Sequence, residues 1–152
     1  TAAGIDQVEF WVRTNPGTRA GPITKVASGG ELSRFLLALK VALADRGSAP
    51  TLVFDEIDTG VGGAVADAIG QRLKRLAGRI QVLSVTHAPQ VAARADTHYL
   101  ISKSGTSQQV TTSVAEMGRS GRQEELARML AGATITEEAR AAAKRLLGEN
   151  DA

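Results

Sequence analysis

Residues 51–87 read Thr-Leu-Val-Phe-Asp-Glu, then a glycine-rich connection, then an amphipathic stretch, then Ile-Gln-Val-Leu-Ser-Val-Thr-His. This succession constrains the fold more than any other feature of the chain. Thr51–Phe54 is a short apolar run that ends in acids, consistent with an interior strand. Ala64–Ala77 places Val65, Ile69, Leu73 and Leu76 on one helical face, and Gly78 stops the helix. Ile80–Val85 is a second apolar strand. Strand, helix, strand predicts two parallel strands, adjacent or near in one sheet. Parallel strands share a C-terminal edge, and open α/β sheets bind ligands outside that edge. Asp55, Glu56 and His87 are therefore expected near one another.

The rest of the chain reads around this unit. Gln7–Thr14 alternates, with Val8, Phe10 and Val12 set against Gln7, Glu9, Trp11 and Arg13, which predicts a strand. Asn15-Pro16-Gly17 ends it in a turn, and residues 18–26 read as a loop. Glu31–Arg46 is a predicted helix. Leu32, Phe35, Leu36, Leu39 and Leu43 form its stripe, and Leu37, Ala38, Val41 and Ala42 widen it enough to predict a largely buried helix. Pro89–Arg94 reads as a short helix. Thr97–Lys103 and Gln108–Val114 read as a hairpin around Ser104-Gly105-Thr106. Gln123–Leu130 and Glu137–Leu147 are amphipathic helices.

Composition sets the class. A chain of 152 residues fits one domain with a real core. Hydrophobic residues at 43% and charged residues at 22% are ordinary for a soluble globular protein. No stretch approaches ~20 apolar residues, so no membrane span or membrane partner is expected. Thr1-Ala-Ala-Gly lacks the basic-then-apolar pattern of a signal peptide. The absence of cysteine excludes disulfides and thiolate metal sites, and fits a reducing cytoplasm. Aromatic content of 3% argues against a base-stacking surface. With 18 cations against 16 anions, charge alone does not point to DNA binding by this domain.

Three clusters could carry chemistry. Ser28-Gly29-Gly30-Glu31 opens a helix. Its plain reading is a capping box, Ser28 capping the N–H of Glu31 and Glu31 reaching back. Its functional reading is an anion site, because a helix start exposes free N–H groups and glycines let a phosphate approach. The readings compete for the Ser28 hydroxyl, yet one helix start can serve both. Asp55-Glu56 at a strand end could be solvated carboxylates. Adjacent carboxylates there can also face two targets, a metal ion and an attacking water, as phosphoryl transfer requires. A lone histidine after a strand is usually structural. His87, one crossover from the acids, could instead bond a γ-phosphate or the attacking water. His98, inside an alternating strand, reads as structural or exposed. Asp58 and the glycines at 60, 62 and 63 form either a plain loop or one that meets a second subunit. The phosphate-cradling pattern G-x-x-x-x-G-K-[ST] does not occur. Nor does a Cys/His cluster for zinc, or a G-x-S-x-G context for a hydrolase triad.

Taken together, Ser28-Gly29-Gly30-Glu31, Asp55-Glu56, Asp58 and His87 resemble the C-terminal lobe of an ABC/SMC-type ATPase head, along nearly the whole chain. The strings Lys25–Arg34, Phe54–Gly63, Val85–Ala92 and Ala127–Gly132 resemble the bacterial SMC-like DNA-repair ATPases in particular. The resemblance implies an α/β, P-loop NTPase-like lobe over residues 1–152. It would have a mostly parallel sheet flanked by helices, a terminal hairpin and C-terminal helices. It implies ATP and Mg²⁺ as ligands, with Asp55 helping to hold the metal, Glu56 polarising water and His87 as the switch histidine. Ser28, Gly29, Gly30 and Glu31 would form the signature segment, meeting the γ-phosphate of an ATP held by another subunit, and Asp58 would sit in the D-loop at that interface. The implied partners are an N-terminal Walker A lobe, a second copy of the head, and DNA through the full-length protein. The implied role is ATP hydrolysis in double-strand break repair, in the cytoplasm and at the nucleoid. Alternatives are a non-catalytic module for ATP-gated dimerisation, and the lobe of a transporter ATPase. Without the phosphate loop, the chain alone is expected to bind ATP weakly and hydrolyse little.

Overall fold

The computed structural model describes residues 4–43, 49–106 and 109–148. The chain divides into two compact units, residues 1–47 and 48–152.

In the first unit, β1 (Trp11–Val12) pairs antiparallel with β2 (Gly21–Pro22). A one-turn helix α1 (Ile23–Val26) and a longer helix α2 (Gly29–Ala42) follow. The alternation over Gln7–Thr14 yields only a two-residue strand, and Val8 is 87% exposed. The partner explains this. Ile23 N–H donates to Phe10 O at 2.8 Å, one pair beyond Trp11↔Pro22, and from Ile23 the partner winds into α1, so the ladder has nothing further to pair with. The expected loop over residues 18–26 thus contains β2 and α1. Phe10 packs edge-on against Phe35, with ring centroids 5.3 Å apart. Helix α2 is less buried than its composition predicts. Leu37 is buried, whereas Leu36 and Leu43 are exposed. Two-residue strands and a single-turn helix offer too little surface to wrap a helix that is apolar on most sides. The predicted end of this helix, residues 44–46, lies outside the described residues.

The second unit holds the predicted strand–helix–strand. β3 (Thr51–Asp55) pairs in parallel with β4 (Gln81–Val85), in the register Thr51↔Gln81 to Asp55↔Val85. Between them runs α3 (Gly63–Ala77), which buries Ala66, Ile69, Gly70, Leu73 and Leu76. Phe54 is buried, but Val53, Leu83 and Val85, which alternate onto the other face of the ladder, are exposed. Helix α4 (Pro89–Ala92) packs on α3. Arg94 joins Asp67 of α3 at 2.8 Å, and Lys74 of α3 pairs with Asp96.

β5 (Tyr99–Thr106) and β6 (Gln109–Glu116) form the antiparallel hairpin. Ser104-Gly105-Thr106 belongs to strand β5 rather than to the turn, and residues 107 and 108 lie outside the described residues. Among the described residues parallel pairing is confined to β3–β4, and the other two ladders are antiparallel. α5 (Arg119–Ala131) and α6 (Glu137–Leu146) close the unit. Ala92, Leu126, Ala127, Ala139 and Ala143 form the core that joins them to α4. The four alanines there let helix backbones approach closely. Thr136 caps α6, accepting from Ala139 N–H at 3.3 Å.

Candidate nucleotide site

The acids follow from the strand. β3 is apolar until Asp55, so the first carboxylate appears where the strand leaves the sheet. Asp55 is exposed and pairs in register with Val85. Glu56 donates its N–H to Val85 O at 3.0 Å, then turns with φ of +47°, the left-handed region. Among the described residues it is the only non-glycine with positive φ. That conformation costs a non-glycine residue about 1–2 kcal/mol, and such strain concentrates at functional sites. The bend sends the Glu56 side chain to His87, which follows β4. With the proton on Nε2, His87 donates to Glu56 Oε1 at 2.8 Å. Both side chains are substantially exposed, at 80% for His87 and 50% for Glu56. The carboxylate is thus held and remains open to an incoming group.

The following loop is positioned from below. Ile57 and Asp58 are buried. Asp58 Oδ2 accepts from Thr86 Oγ1 at 2.5 Å and from Ala88 N–H at 3.0 Å. The Asp58 side chain therefore turns into its own chain, and the exposed part of this loop is Thr59, Gly60 and Gly62. Gly60 has φ of +72°, which glycine adopts without strain.

Ser28–Glu31 form a cluster of their own in the first unit, and the capping box is complete. Ser28 N–H donates to Glu31 Oε2 at 2.7 Å, the Ser28 hydroxyl donates to the same oxygen at 2.7 Å, and Glu31 N–H donates to Ser28 Oγ at 3.3 Å. These bonds, the backbone one first, hold the Glu31 carboxyl below its ordinary range. Gly30 is less open than Gly29: a Cβ there would meet the Arg34 guanidinium at 3.0 Å, while at Gly29 it would meet nothing.

His98 is structural. Burial, then the nearby Arg122 charge, pushes it below its ordinary 6.5, with Glu125 opposing. Its Nδ1 is buried with no partner among the described residues. A proton on this ring is therefore better tolerated in the unfolded chain. The contribution to stability is complete above pH 6.5 and is lost as pH falls through the folded value. Urea unfolding on either side of that pH should show a loss in the wild type that is smaller in His98→Gln; equal losses would assign it to another group.

No group of three or more His, Asp or Glu among the described residues could cage a metal unaided. This donor set fits Mg²⁺, which is commonly held by one or two carboxylates together with substrate phosphates and water; Asp55 is the exposed acid at the strand end. Sequence reasoning grouped Asp55, Glu56 and His87 and missed Thr86 as a partner of Asp58. The available signal was a hydroxyl residue directly before the histidine.

Comparison with solved structures defines the class. An SMC ATPase from work on ATP-driven dimerization and DNA-stimulated activation of SMC ATPases matches with a TM-score of 0.55 at 22% identity, over 78% of this chain and 70% of that one. The Smc head domain with a coiled coil and joint derived from Pyrococcus yayanosii gives 0.58 at 24% identity, over 72% and 20% of the two chains. The fold is that of an SMC-type, P-loop NTPase-like ATPase head. Curated sequences narrow this. The DNA repair protein RecN of Rickettsia conorii is 52% identical over 147 residues, 97% of this chain. RecN of Xylella fastidiosa is 50% identical over 146 residues, and RecN of Halalkalibacterium halodurans 47% over 144. The chain belongs to the RecN family of SMC-like proteins. It spans only 27% of the length of the Rickettsia relative and 26% of the other two. No protein-family model matches it. No described helix is long and apolar enough to cross a membrane.

Proposed function

We propose that residues 1–152 are the C-terminal lobe of a RecN-type ATPase head, which dimerises around ATP and hydrolyses it in the repair of DNA double-strand breaks. The observation that carries this reading is the Glu56–His87 contact of 2.8 Å at the C-terminal edge of a parallel strand pair, next to Asp55. Membership among DNA-repair proteins favours it over a transporter lobe.

Each residue then has a task. Glu56 accepts a hydrogen bond from the attacking water and draws its proton. His87 fixes the Glu56 carboxylate and presents its ring to the terminal phosphate. Asp55 holds Mg²⁺, which when bound neutralises charge developing on the phosphates. Gly29 and Gly30 leave the start of α2 open to the phosphate of an ATP held by the second copy, with Ser28 and Glu31 holding that start in shape. The Thr59–Gly62 loop, carrying Asp58 at its root, faces the same second copy.

The ATP-holding Walker A lobe belongs to the same protein. Two-stranded parallel sheets do not stand with one face bare, and Val53, Leu83 and Val85 form an apolar face for that lobe to cover. DNA contacts lie elsewhere in the full-length protein, which acts in the cytoplasm at the nucleoid. The test is ATP hydrolysis by this chain joined to its Walker A lobe, with protein concentration varied. The expected rate rises more than linearly with protein, as a dimeric site requires. A rate strictly proportional to protein down to high dilution would overturn the two-copy site.

A further inference from the structure

Asp58 is the one buried charged residue among those described, 7% exposed. A carboxylate that merely capped its own loop would bond to the next few residues. This one reaches 28 residues further along the chain to Thr86 Oγ1, and 30 to Ala88 N–H. Those two residues flank His87. A single oxygen, Oδ2, grips both, and Ala88 N–H also donates to Thr86 Oγ1 at 3.0 Å. The other oxygen, Oδ1, is buried with no partner among the described residues. Burying a carboxylate with one oxygen unsatisfied is unfavourable, and folds keep such arrangements chiefly where a site needs them.

The consequence is geometric. Glu56 and Asp58 are two apart after β3, while Thr86, His87 and Ala88 follow β4. Glu56 is bent by its positive φ, and Asp58 fastens the turn that carries His87. The Glu56–His87 contact therefore closes a second link between the same two turns. We infer that Asp58 is a positioning residue, which holds His87 against Glu56 by tying down Thr86 and Ala88. This rests on the ATPase reading above and reassigns the Asp58 carboxylate from contact with a second subunit to the catalytic turn of its own chain.

The experiment uses the protein carrying both lobes. kcat, KM for ATP and melting temperature are measured for Asp58→Ala, Thr86→Val and Thr86→Ser, and for the first two combined with His87→Ala. Misplacing a catalytic group by an ångström costs on the order of 10²-fold in rate. Asp58→Ala and Thr86→Val are expected to lower kcat by about that factor while KM stays within about twofold. Thr86→Ser, which keeps the hydroxyl, should retain most of the rate. In the His87→Ala background, neither change should add a further loss, because both act through that ring. Full additivity with His87→Ala, or a fall in rate that only follows the melting temperature, would overturn the role. Glu56→Gln measured alongside separates the two levels. If Glu56→Gln is inactive while Asp58→Ala and Thr86→Val run at the wild-type rate, the positioning role alone fails. If Glu56→Gln itself hydrolyses ATP normally, the active-site reading fails and the inference with it.

Discussion

Glu56→Gln should bind ATP and fail to hydrolyse it. The substitution keeps the length and shape of the side chain. Its amide oxygen can still accept from His87 Nε2, so the 2.8 Å contact and the strained turn at φ of +47° survive. What disappears is basicity toward the attacking water. General-base catalysis is worth about 10²–10⁴-fold, and kcat should fall by that factor with KM for ATP little changed. Because ATP is not consumed, the two-copy complex should accumulate. Size-exclusion chromatography with ATP should then show a persistent dimer in Glu56→Gln and a transient one in the wild type. A variant that loses rate because ATP no longer binds would instead show a raised KM and no dimer, and would assign Glu56 to binding. A variant that hydrolyses at the normal rate would leave a gated interaction module, in which the Glu56–His87 pair is structural.

The parts of this site that could be read from sequence are those set by short-range pattern. An apolar run that ends in Asp55-Glu56, a crossover helix, and a second run that ends in Thr86-His87 define a parallel pair whose edge gathers the acids and the histidine. The observed register Asp55↔Val85 places them there. The capping box was equally legible, since Ser-x-x-Glu encodes its own two bonds. Features set by contact between distant segments were not. Alternation over Gln7–Thr14 says nothing of how long the partner strand runs, and here the partner winds into α1 at Ile23. The leucines of α2 announce an apolar helix, but not whether the short elements of its own unit offer enough surface to cover it. Asp58 two residues beyond Glu56 looked like part of an exposed glycine loop. Its burial depends on Thr86 and Ala88, which only the fold brings within reach. The positive φ of Glu56 has no sequence signal, because glutamate rarely adopts it.

Gly70→Val should be the most destabilising single change near the site. Helix propensity alone argues the other way, since glycine inside a helix costs about 1 kcal/mol relative to alanine. Space decides against it. A Cβ at position 70 would lie 3.0 Å from Gln90 O, 3.0 Å from Arg94 Cγ and 3.2 Å from Val91 Cα. Two of those atoms are α4 backbone. The third belongs to a side chain tethered to Asp67 at 2.8 Å. The neighbours can yield only if α4 moves off α3. Overpacking costs about 1–3 kcal/mol, so Gly70→Ala should end within about 1–2 kcal/mol of the wild type, on the destabilising side. Valine adds two methyl groups and a stiff χ1, and should cost about 3 kcal/mol in urea unfolding. The effect should reach the chemistry as well. α4 begins at Pro89, two residues after His87, so displacing it strains the turn that Thr86 and Ala88 fasten to Asp58. The fraction of Gly70→Val that stays folded should therefore show a reduced kcat with KM for ATP nearly unchanged. If Gly70→Ala instead raises stability by the full 1 kcal/mol or so that propensity allows, then α3 and α4 are not packed tightly enough to hold His87 in place.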